Sequence, residues 1–471
     1  MLKPTKMIKL FICALLILSG QAFARVILPS VIDNNMVLQQ NARVPLWGKA
    51  KPNARVTVIT SWNNKLYTVW AKNDSTWRVF VQTPKAGGPY EVSFNDGQLL
   101  KLKNILIGEV WICSGQSNME MPVKGFGNQP ILNSNDILMD AENPQIRLFR
   151  LERALTRQPQ ANCKATPWQE ADAESVKNFS AVGYQYAKLL QARLKVPVGI
   201  IMSVWGGTMI EAWMDKASIN NFPEVKIPAD TARINKNDPT VLFNAMINPF
   251  VGYGIKGVIW YQGEQNRINY QIYDKLMVSM VKEWRKLWEM GDWPFYYVQI
   301  APYTYTLKDK QGLAPYLREA QLKAMSEIPN AGMVVTMDVG SERVIHPPDK
   351  LPVSKRLAYW ALANAYGKKG INYLSPVYKS MKITGSNAYI NFNYTPNGLT
   401  TFGKELLAFE IAGDDKVFYP AKAKISGNGI IVSSENVKTP VAVRYAFKDW
   451  VVGDVYNTEG LPLAPFRTDD W

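Results

Sequence analysis

The middle of the chain alternates between short apolar runs and longer stretches with helical spacing, and this alternation limits the possible fold more than any other feature. The apolar runs are residues 105–113, 198–204, 257–261, 295–300 and 333–337, and the helical stretches are residues 182–194, 273–288, 316–327 and 353–366. Strands that alternate with helices predict a parallel sheet covered on both faces. In such sheets, functional residues collect at the carboxyl ends of the strands.

The regions on either side of this core follow a different pattern. Residues 26–102 contain short runs in which apolar and polar residues alternate, separated by turn residues, and short strand-like runs return after Gly367. Alternation with a period of two predicts antiparallel sandwich sheets. We therefore expect an N-terminal β-sandwich domain at 25–104, an α/β domain at 105–367, and a C-terminal β region at 368–471 that packs beside the other domains.

The first 24 residues are typical of a secretory signal peptide. Lys3, Lys6 and Lys9 precede an apolar core at residues 10–18, and Ala22-Phe-Ala24 is a small-x-small cleavage site. The apolar core is too short to span a bilayer, and no cysteine directly follows it as a lipoprotein anchor would require. We expect a soluble mature protein that begins near Arg25, is periplasmic or secreted, and has no membrane insertion after signal removal.

Composition excludes some function classes. The formal net charge is +15, yet no basic run of five or more residues occurs, so nucleic acid is not an expected partner. The 15 Trp and 22 Tyr suit carbohydrate handling, although large β-rich cores also use aromatic residues. Cys113 and Cys163 are too few for a disulfide scaffold; they could pair or remain separate thiols.

Three strand ends in the middle region carry polar, glycine-rich signatures: Ser114-Gly-Gln-Ser117-Asn-Met119, Trp205-Gly206-Gly-Thr208 and Trp260-Tyr-Gln262-Gly-Glu264-Gln-Asn266. A small, flexible turn would present the Ser117 hydroxyl where a helix begins, with backbone N–H groups that can hold an oxyanion. The alternative interpretation is a set of ordinary capping and turn residues.

His346, in His346-Pro-Pro-Asp349-Lys350, is the only histidine of the chain. A Ser-His mechanism would therefore have only one possible base, because imidazole is the usual group that takes a serine proton near neutral pH. One histidine without clustered ligands does not build a zinc site, and no phosphate loop is present, so neither a metal nor a cofactor is expected.

Taken together, these motifs resemble those of the SGNH (GDSL-like) hydrolases and, within them, the group of sialate O-acetylesterases and acetylxylan esterases. The resemblance extends over nearly the whole mature chain, including the opening Leu28–Gln39 and the closing Asn457–Arg467 segments. It implies a flavodoxin-like core. It also implies that Ser117 is the nucleophile, that His346 is the base, and that the N–H groups of Ser117 and Gly206 form the oxyanion hole with a side-chain amide. We assign this amide to Gln262, with Asn266 as the second choice.

The carboxylate that orients His346 is left open by the motifs. Many SGNH enzymes have Asp three residues before the histidine, but Arg343 occupies that position here. Glu264 is the first candidate and Asp338 the second, followed by Glu342 and Asp349, and a backbone carbonyl could replace a carboxylate. Asp349 could instead cap the following helix.

The resemblance implies an esterase that removes O-acetyl groups from a carbohydrate, with sialic acid as the first substrate and acetylated xylan as the alternative. A sialate needs a cation for its carboxylate, and Arg267 and Arg318 are the candidates, unless they are surface charges. A different class of function, a non-catalytic carbohydrate-binding protein, would be expected to lack Ser117 or His346. The oligomeric state is left open.

Overall fold

A computed structural model describes residues 26–305 and 312–471 of the chain. The predicted signal peptide, residues 1–24, lies outside the described residues. None of the helices in these two ranges has the length and apolar character that a membrane span requires.

The N-terminal region consists of antiparallel strands that lead into one long strand. Its strands are β1 (Val37–Gln39), β2 (Arg43–Lys49), β3 (Arg55–Thr60), β4 (Lys65–Trp70), β5 (Thr76–Gln82), β6 (Gly87–Asn95) and β7 (Leu99–Gly115). Strand β2 pairs with β5, and β3 pairs with β4 and β6. In β3, Val56, Val58 and Thr60 are buried while their neighbours are more exposed, which is the alternation that predicted a sandwich.

Strand β7 belongs to two sheets. Its first half pairs with β6 and its middle with β1, whereas its last seven residues pair with strands of the central parallel sheet. Every residue from Ile105 to Gly115 is buried. The boundary predicted at residue 104 therefore falls inside a continuous strand, not in a linker.

The central sheet is parallel except at one edge. Its further strands are β8 (Asn143–Leu151), β9 (Ala165–Ala171), β10 (Val198–Val204), β11 (Gly257–Tyr261), β12 (Phe295–Val298) and β13 (Ala331–Val334). Their order is β13-β12-β11-β7-β10-β8-β9, and only β9 runs antiparallel to its neighbour. The chain moves from β7 to one side of the sheet and later returns to the other side. The carboxyl end of β7 is thus a topological switch point, where ligands bind in sheets of this kind.

Helices cover both faces of this sheet. They are α1 (Ser117–Glu120), α2 (Ser134–Met139), α3 (Ala173–Lys177), α4 (Ala181–Leu194), α5 (Lys216–Ile219), α6 (Tyr273–Trp288), α7 (Ala314–Glu327) and α8 (Leu351–Trp360). Short 3₁₀ turns occur at Ile210–Trp213, Asn248–Phe250 and Glu264–Ile272, and π turns at Phe243–Ile247 and Ala361–Ala365.

Helices α4 and α8 contribute to one hydrophobic cluster, and α6 and α7 to the other. Along β7, Trp111 and Cys113 point into the first cluster and Val110 and Ile112 into the second. The predicted α/β class is confirmed.

The C-terminal region consists of short antiparallel strands. They are β14 (Val377–Thr384), β15 (Asn387–Asn393), β16 (Leu399–Thr400), β17 (Phe409–Ala412), β18 (Phe418–Pro420), β19 (Lys422–Ser426), β20 (Gly429–Ser433), β21 (Ala442–Tyr445), β22 (Tyr456–Asn457) and β23 (Phe466–Arg467). They form the sheets β14-β15-β20-β19, β18-β17-β21-β23 and β16-β22. Arg467 of β23 forms an ion pair of 3.1 Å with Glu319 of α7, which connects this region to the core. Cys113 and Cys163 are separate thiols.

Gly115, the last residue of β7, should tolerate no side chain. It has φ +132°, and a Cβ built on it would overlap the carbonyl oxygen of Tyr261. Gly97 has a similar φ of +117° but open space around it. Both alanine variants carry the cost of an unfavourable φ, so their difference isolates the clash. We expect Gly115→Ala to lower the free energy of unfolding by about 1–3 kcal/mol more than Gly97→Ala in chemical denaturation. Equal losses would contradict the tight packing of β7 against β11.

Candidate active site

The three polar signatures meet at the switch point of the sheet. Ser117 follows β7, Gly206 follows β10 and Glu264 follows β11, and β7 lies between the other two strands. Parallel strands place their carboxyl ends at the same edge, so the three turns lie side by side. This is the juxtaposition that the sequence pattern predicted.

Ser117 is the first residue of helix α1 rather than its N-cap. Gln116 occupies the cap position and makes no side-chain capping bond. Among the described residues, neither the hydroxyl nor the backbone N–H of Ser117 has a hydrogen-bond partner. The alternative interpretation of Ser117 as a capping serine therefore does not agree with the structure, and both groups are available to a ligand.

Gly206 lies directly against Ser117. A Cβ built on Gly206 would be 2.9 Å from the Cβ of Ser117, so only glycine fits at this distance. Its N–H donates to Glu120 Oε2 at 2.8 Å, and Glu120 also accepts hydrogen bonds from Arg153. The predicted oxyanion donor is thus in place but holds a carboxylate. It can receive a substrate oxyanion only after Glu120 moves away.

The side-chain amides of Gln262 and Asn266 do not face the site. Both residues are fully buried. Gln262 Nε2 donates to the Thr208 carbonyl at 2.9 Å and to Asn266 Oδ1 at 2.7 Å. Asn266 Nδ2 donates to Glu211 at 2.8 Å and to Asn269 at 3.1 Å. The assignment of an oxyanion-hole amide to either residue does not agree with these contacts, which instead connect β11 to the segment after Gly206.

His346 lies in the loop between β13 and α8, and its ring is partly buried. Its Nδ1 is 2.6 Å from Gln129 Oε1, and the ring of Phe126 packs edge-on at a centroid distance of 5.2 Å. Burial and the positive charge of Lys350 lower the pKa of His346 to about 4. The imidazole is therefore neutral at pH 7, which is the form a general base requires.

Asn118 connects the loops of Ser117 and His346. Its Nδ2 donates to the carbonyl of Ile345 at 3.1 Å and to Glu264 Oε1 at 2.5 Å, and its Oδ1 accepts from Lys350 Nζ at 2.6 Å. Ile345 and Lys350 lie on either side of His346 in the chain. No hydrogen bond among the described residues joins Ser117 Oγ to His346. Asn118 therefore connects the segment that carries Ser117 to the loop that carries His346.

Asn118 also separates two buried charges. Glu264 and Lys350 are 5% and 1% exposed, so both groups have lost most of their hydration. Burial raises the pKa of Glu264 and lowers that of Lys350 to about 7. Because Asn118 offers a donor to one group and an acceptor to the other, each charge has a hydrogen bond without direct contact between them.

The candidate carboxylates have other partners. Asp338 forms two hydrogen bonds with Arg356, at 2.8 and 2.6 Å. Asp349 accepts the N–H of Leu351 at the start of α8, although Lys350 occupies the cap position, and Glu342 is exposed. Since Glu264 is held by Asn118, none of the four predicted acids is hydrogen-bonded to His346.

The two predicted carboxylate-binding arginines differ. Arg318 is fully buried, and its guanidinium donates to the carbonyls of Ile300, Lys448 and Asp449. Its predicted role in substrate binding does not agree with the structure, because it holds backbone groups together instead. Arg267 stacks on the ring of Tyr305 at 3.5 Å and is partly exposed.

Sequence reasoning assigned no role to several residues of this site: Gln129, Asn118, Lys350, Glu120 and Lys236. Asn118 and Lys350 lie inside the motifs around Ser117 and His346, so they could have been found as polar residues next to catalytic candidates. Gln129 lies 217 residues from His346 in an irregular loop, and no periodicity or motif marks it.

Comparisons with known proteins identify the family of this chain. Residues 107–351 match the family model of the carbohydrate esterase, sialic acid-specific acetylesterase. The chain is 30% identical to the sialate O-acetylesterases of Pongo abelii and Homo sapiens, and each match covers 93% of this chain and 91% of the relative. A crystal structure of a carbohydrate acetylesterase from Xanthomonas citri is 36% identical, with a TM-score of 0.87, and the match covers 95% of this chain and all of that one.

The fold and the comparisons define a carboxylic ester hydrolase of the α/β type. The chain belongs to the carbohydrate esterase family of sialic acid-specific acetylesterases. Membership supports carbohydrate deacetylation as its activity and argues against the alternative of a non-catalytic carbohydrate-binding protein.

Asp338→Asn and Glu264→Gln together test whether either carboxylate orients His346. Neither contacts the imidazole, so kcat of both variants should stay within about tenfold of the wild type, far from the roughly ten-thousandfold loss of a triad aspartate. Asp338→Asn should still lower the free energy of unfolding by about 3 kcal/mol, because Arg356 loses its charged partner. The measurements are p-nitrophenyl acetate hydrolysis and chemical denaturation. A hundredfold loss of kcat in a stably folded variant would identify that carboxylate as the partner of His346.

Proposed function

We propose that this protein is a secreted serine esterase that removes O-acetyl groups from sialic acid through a Ser-His acyl-enzyme mechanism. Family membership and the two sialate O-acetylesterases support the substrate. The N-terminal basic and apolar pattern of residues 1–24 supports secretion. The single observation that carries the mechanism is Ser117 itself, a helix-starting serine at the switch point with its hydroxyl and N–H unengaged and Gly206 against it.

The proposed reaction has two steps. Ser117 Oγ attacks the acetyl carbon while His346 Nε2 takes the serine proton, and the sugar oxygen then leaves with that proton as an alcohol. In the second step, His346 takes a proton from water, the resulting hydroxide attacks the acyl-enzyme, and acetate leaves as Ser117 regains its proton. Catalytic hydrogen bonds are often long in unliganded enzymes, so we expect the bond between Ser117 and His346 to form when substrate binds.

Two backbone groups are proposed to stabilise the tetrahedral oxyanion. The N–H of Ser117 has no acceptor among the described residues. The N–H of Gly206 becomes the second donor when Glu120 moves aside. Losing one such donor costs on the order of 3 kcal/mol in barrier height.

Ser117→Ala should abolish esterase activity without affecting folding. The substitution removes the only atom that forms the covalent bond, so kcat for p-nitrophenyl acetate should fall by at least about a thousandfold. Ser134→Ala is the matched control, because Ser134 is also the first residue of a short helix, is half-buried, and makes no capping bond. Activity that survives in Ser117→Ala, or is lost equally in Ser134→Ala, would refute the assignment of the nucleophile.

A cationic cleft beside Gly206 favours an acidic sugar over a neutral one. The cleft has a volume of about 640 Å³ and is lined by residues that include Trp205, Arg233 and Lys236, with no acidic side chain. Lys236 Nζ donates to the Gly206 carbonyl at 2.6 Å and keeps further N–H donors. Since Arg318 is buried, we propose Lys236 as a partner of the sialate carboxylate, together with the earlier candidate Arg267.

Acetylated xylan remains the alternative substrate, because an ester of a neutral sugar undergoes the same acyl transfer. The neutral alternative would derive its affinity from stacking on Trp205 rather than from charge. The two substrates therefore predict different responses to the loss of Lys236.

Lys236→Met should weaken the binding of acidic substrates only. Loss of a charge-assisted hydrogen bond should raise KM for O-acetylated sialic acid about tenfold. KM for acetylated xylo-oligosaccharides should stay unchanged, and acetate release measures both reactions. Lys226→Met, an exposed lysine in the same segment, is the control. Equal changes with both substrates would show that Lys236 supports Gly206 and does not recognise a carboxylate.

A further inference from the structure

A tight turn at residues 125–130 approaches His346. The backbone groups of Phe126 and Gln129 pair with each other in both directions, at 3.0 and 3.1 Å. Gly125 precedes them with φ +78°, and a Cβ at this position would overlap the carbonyl oxygen of Gln129. The N–H of Leu132 donates to the carbonyl of Pro348 at 3.0 Å, which fastens the turn to the loop of His346. The turn is therefore stabilised by its own backbone pair and by the hydrogen bond to the loop of His346.

Two side chains of this turn contact the imidazole. Phe126 packs against the ring edge-on, and Gln129 Oε1 lies 2.6 Å from Nδ1. An amide oxygen can only accept a hydrogen bond, so Nδ1 of His346 carries the proton in this arrangement. The lone pair is then on Nε2, the atom that must accept the proton of Ser117.

In Ser-His-Asp enzymes, a carboxylate performs this orienting task. Within the described part of the chain, three of the four candidate carboxylates have hydrogen-bond partners other than His346, and the fourth is exposed. Asp338 is paired with Arg356, Glu264 with Asn118, and Asp349 with the start of α8. Glu342 is exposed. The position that the acid would occupy holds Gln129.

We propose that Gln129 is the positioning residue of His346, a neutral amide that takes the place of the acid in a catalytic triad. The proposal rests on the proposed Ser-His mechanism and adds the group that selects the tautomer of its base. Gln129 acts through His346 and does not itself touch the reacting atoms.

A neutral partner changes the electrostatics of the base. The turn presents Phe126 and Gln129 to the imidazole, and the charge that acts on it is that of Lys350 in its own loop. Glu264 and Asp349 face Lys350 and partly offset its charge. Burial and Lys350 lower the pKa of His346 to about 4, and no anion raises it. Because the base must be neutral, activity should rise with pH through a pKa well below the usual 6.5 and remain high in mildly acidic solution.

The test compares Gln129→Glu with Gln129→Met through pH profiles of kcat/KM for p-nitrophenyl acetate. Gln129→Glu places an anion beside Nδ1, so the acid limb should move up by about 1–2 pH units. Gln129→Met keeps the length of the side chain but removes the acceptor. Its kcat should fall about a hundredfold or more with a smaller change in KM, because the tautomer is no longer selected.

Two further measurements separate positioning from a structural role. His346 is the only histidine, so ¹⁵N NMR of the imidazole shows one residue; Nδ1 should be protonated in the wild type and mixed with the other tautomer in Gln129→Met. Gln158→Glu, which introduces the same charge at an exposed site, should leave the pH profile unchanged.

An unshifted acid limb in Gln129→Glu, or full kcat in Gln129→Met, would overturn the role of Gln129 while the proposed esterase mechanism stands. If Gln129→Met fails to fold, the pH profile of Gln129→Glu still decides. The proposed mechanism itself is tested separately, by the comparison of Ser117→Ala with Ser134→Ala.

Discussion

The burial of the second part of β7, a strand shared by two sheets, is the constraint on which the rest of the molecule depends. All residues from Ile105 to Gly115 are buried, so their backbone polar groups need partners inside the protein and every side chain must fit an existing space. The first half of the strand satisfies this requirement in the N-terminal sheet, and the last seven residues satisfy it between β10 and β11. The turn that carries Ser117 thus starts from a rigid support. Its neighbours, Gly206 and Glu264, lie just after the ends of the two strands that flank β7.

Polar groups near this turn are arranged to offset the cost of removing them from water. A buried charge without a hydrogen bond is expensive, and Glu264 and Lys350 are both almost completely buried. The amide of Asn118 satisfies one oxygen of Glu264 and one proton of Lys350, and its second proton holds the Ile345 carbonyl. The loops after three different strands are thereby joined by one side chain. The hydrogen bonds that compensate these buried charges also tie the segment of Ser117 to the loop of His346.

The features that sequence could predict are those set by local pattern. Helix α6 matches the predicted 273–288 segment because its apolar residues recur at helical spacing, and the strand ends with glycine and serine were recognisable without a structure. What could not be predicted is which partner each buried polar group selects. Arg318 resembles a surface cation in sequence but binds backbone carbonyls, and Gln262 and Asn266 bind each other. Such choices depend on atoms that are distant in sequence, as the 217 residues between Gln129 and His346 illustrate.

The hydrogen bond between Gly206 and Glu120 gives the resting protein an internal competitor for its proposed oxyanion site. A substrate oxyanion that reaches this N–H must displace a carboxylate that Arg153 also holds. Only the fraction of molecules in which Glu120 has left this N–H can bind a ligand there. The free energy of the displacement therefore lowers the apparent affinity of every ligand at this N–H. The carbonyl oxygen of an acetyl ester is uncharged when the substrate binds, and it becomes an oxyanion only when the carbonyl carbon is attacked. Acetate and other anions, by contrast, meet a site that is already filled, so the reaction product is poorly retained.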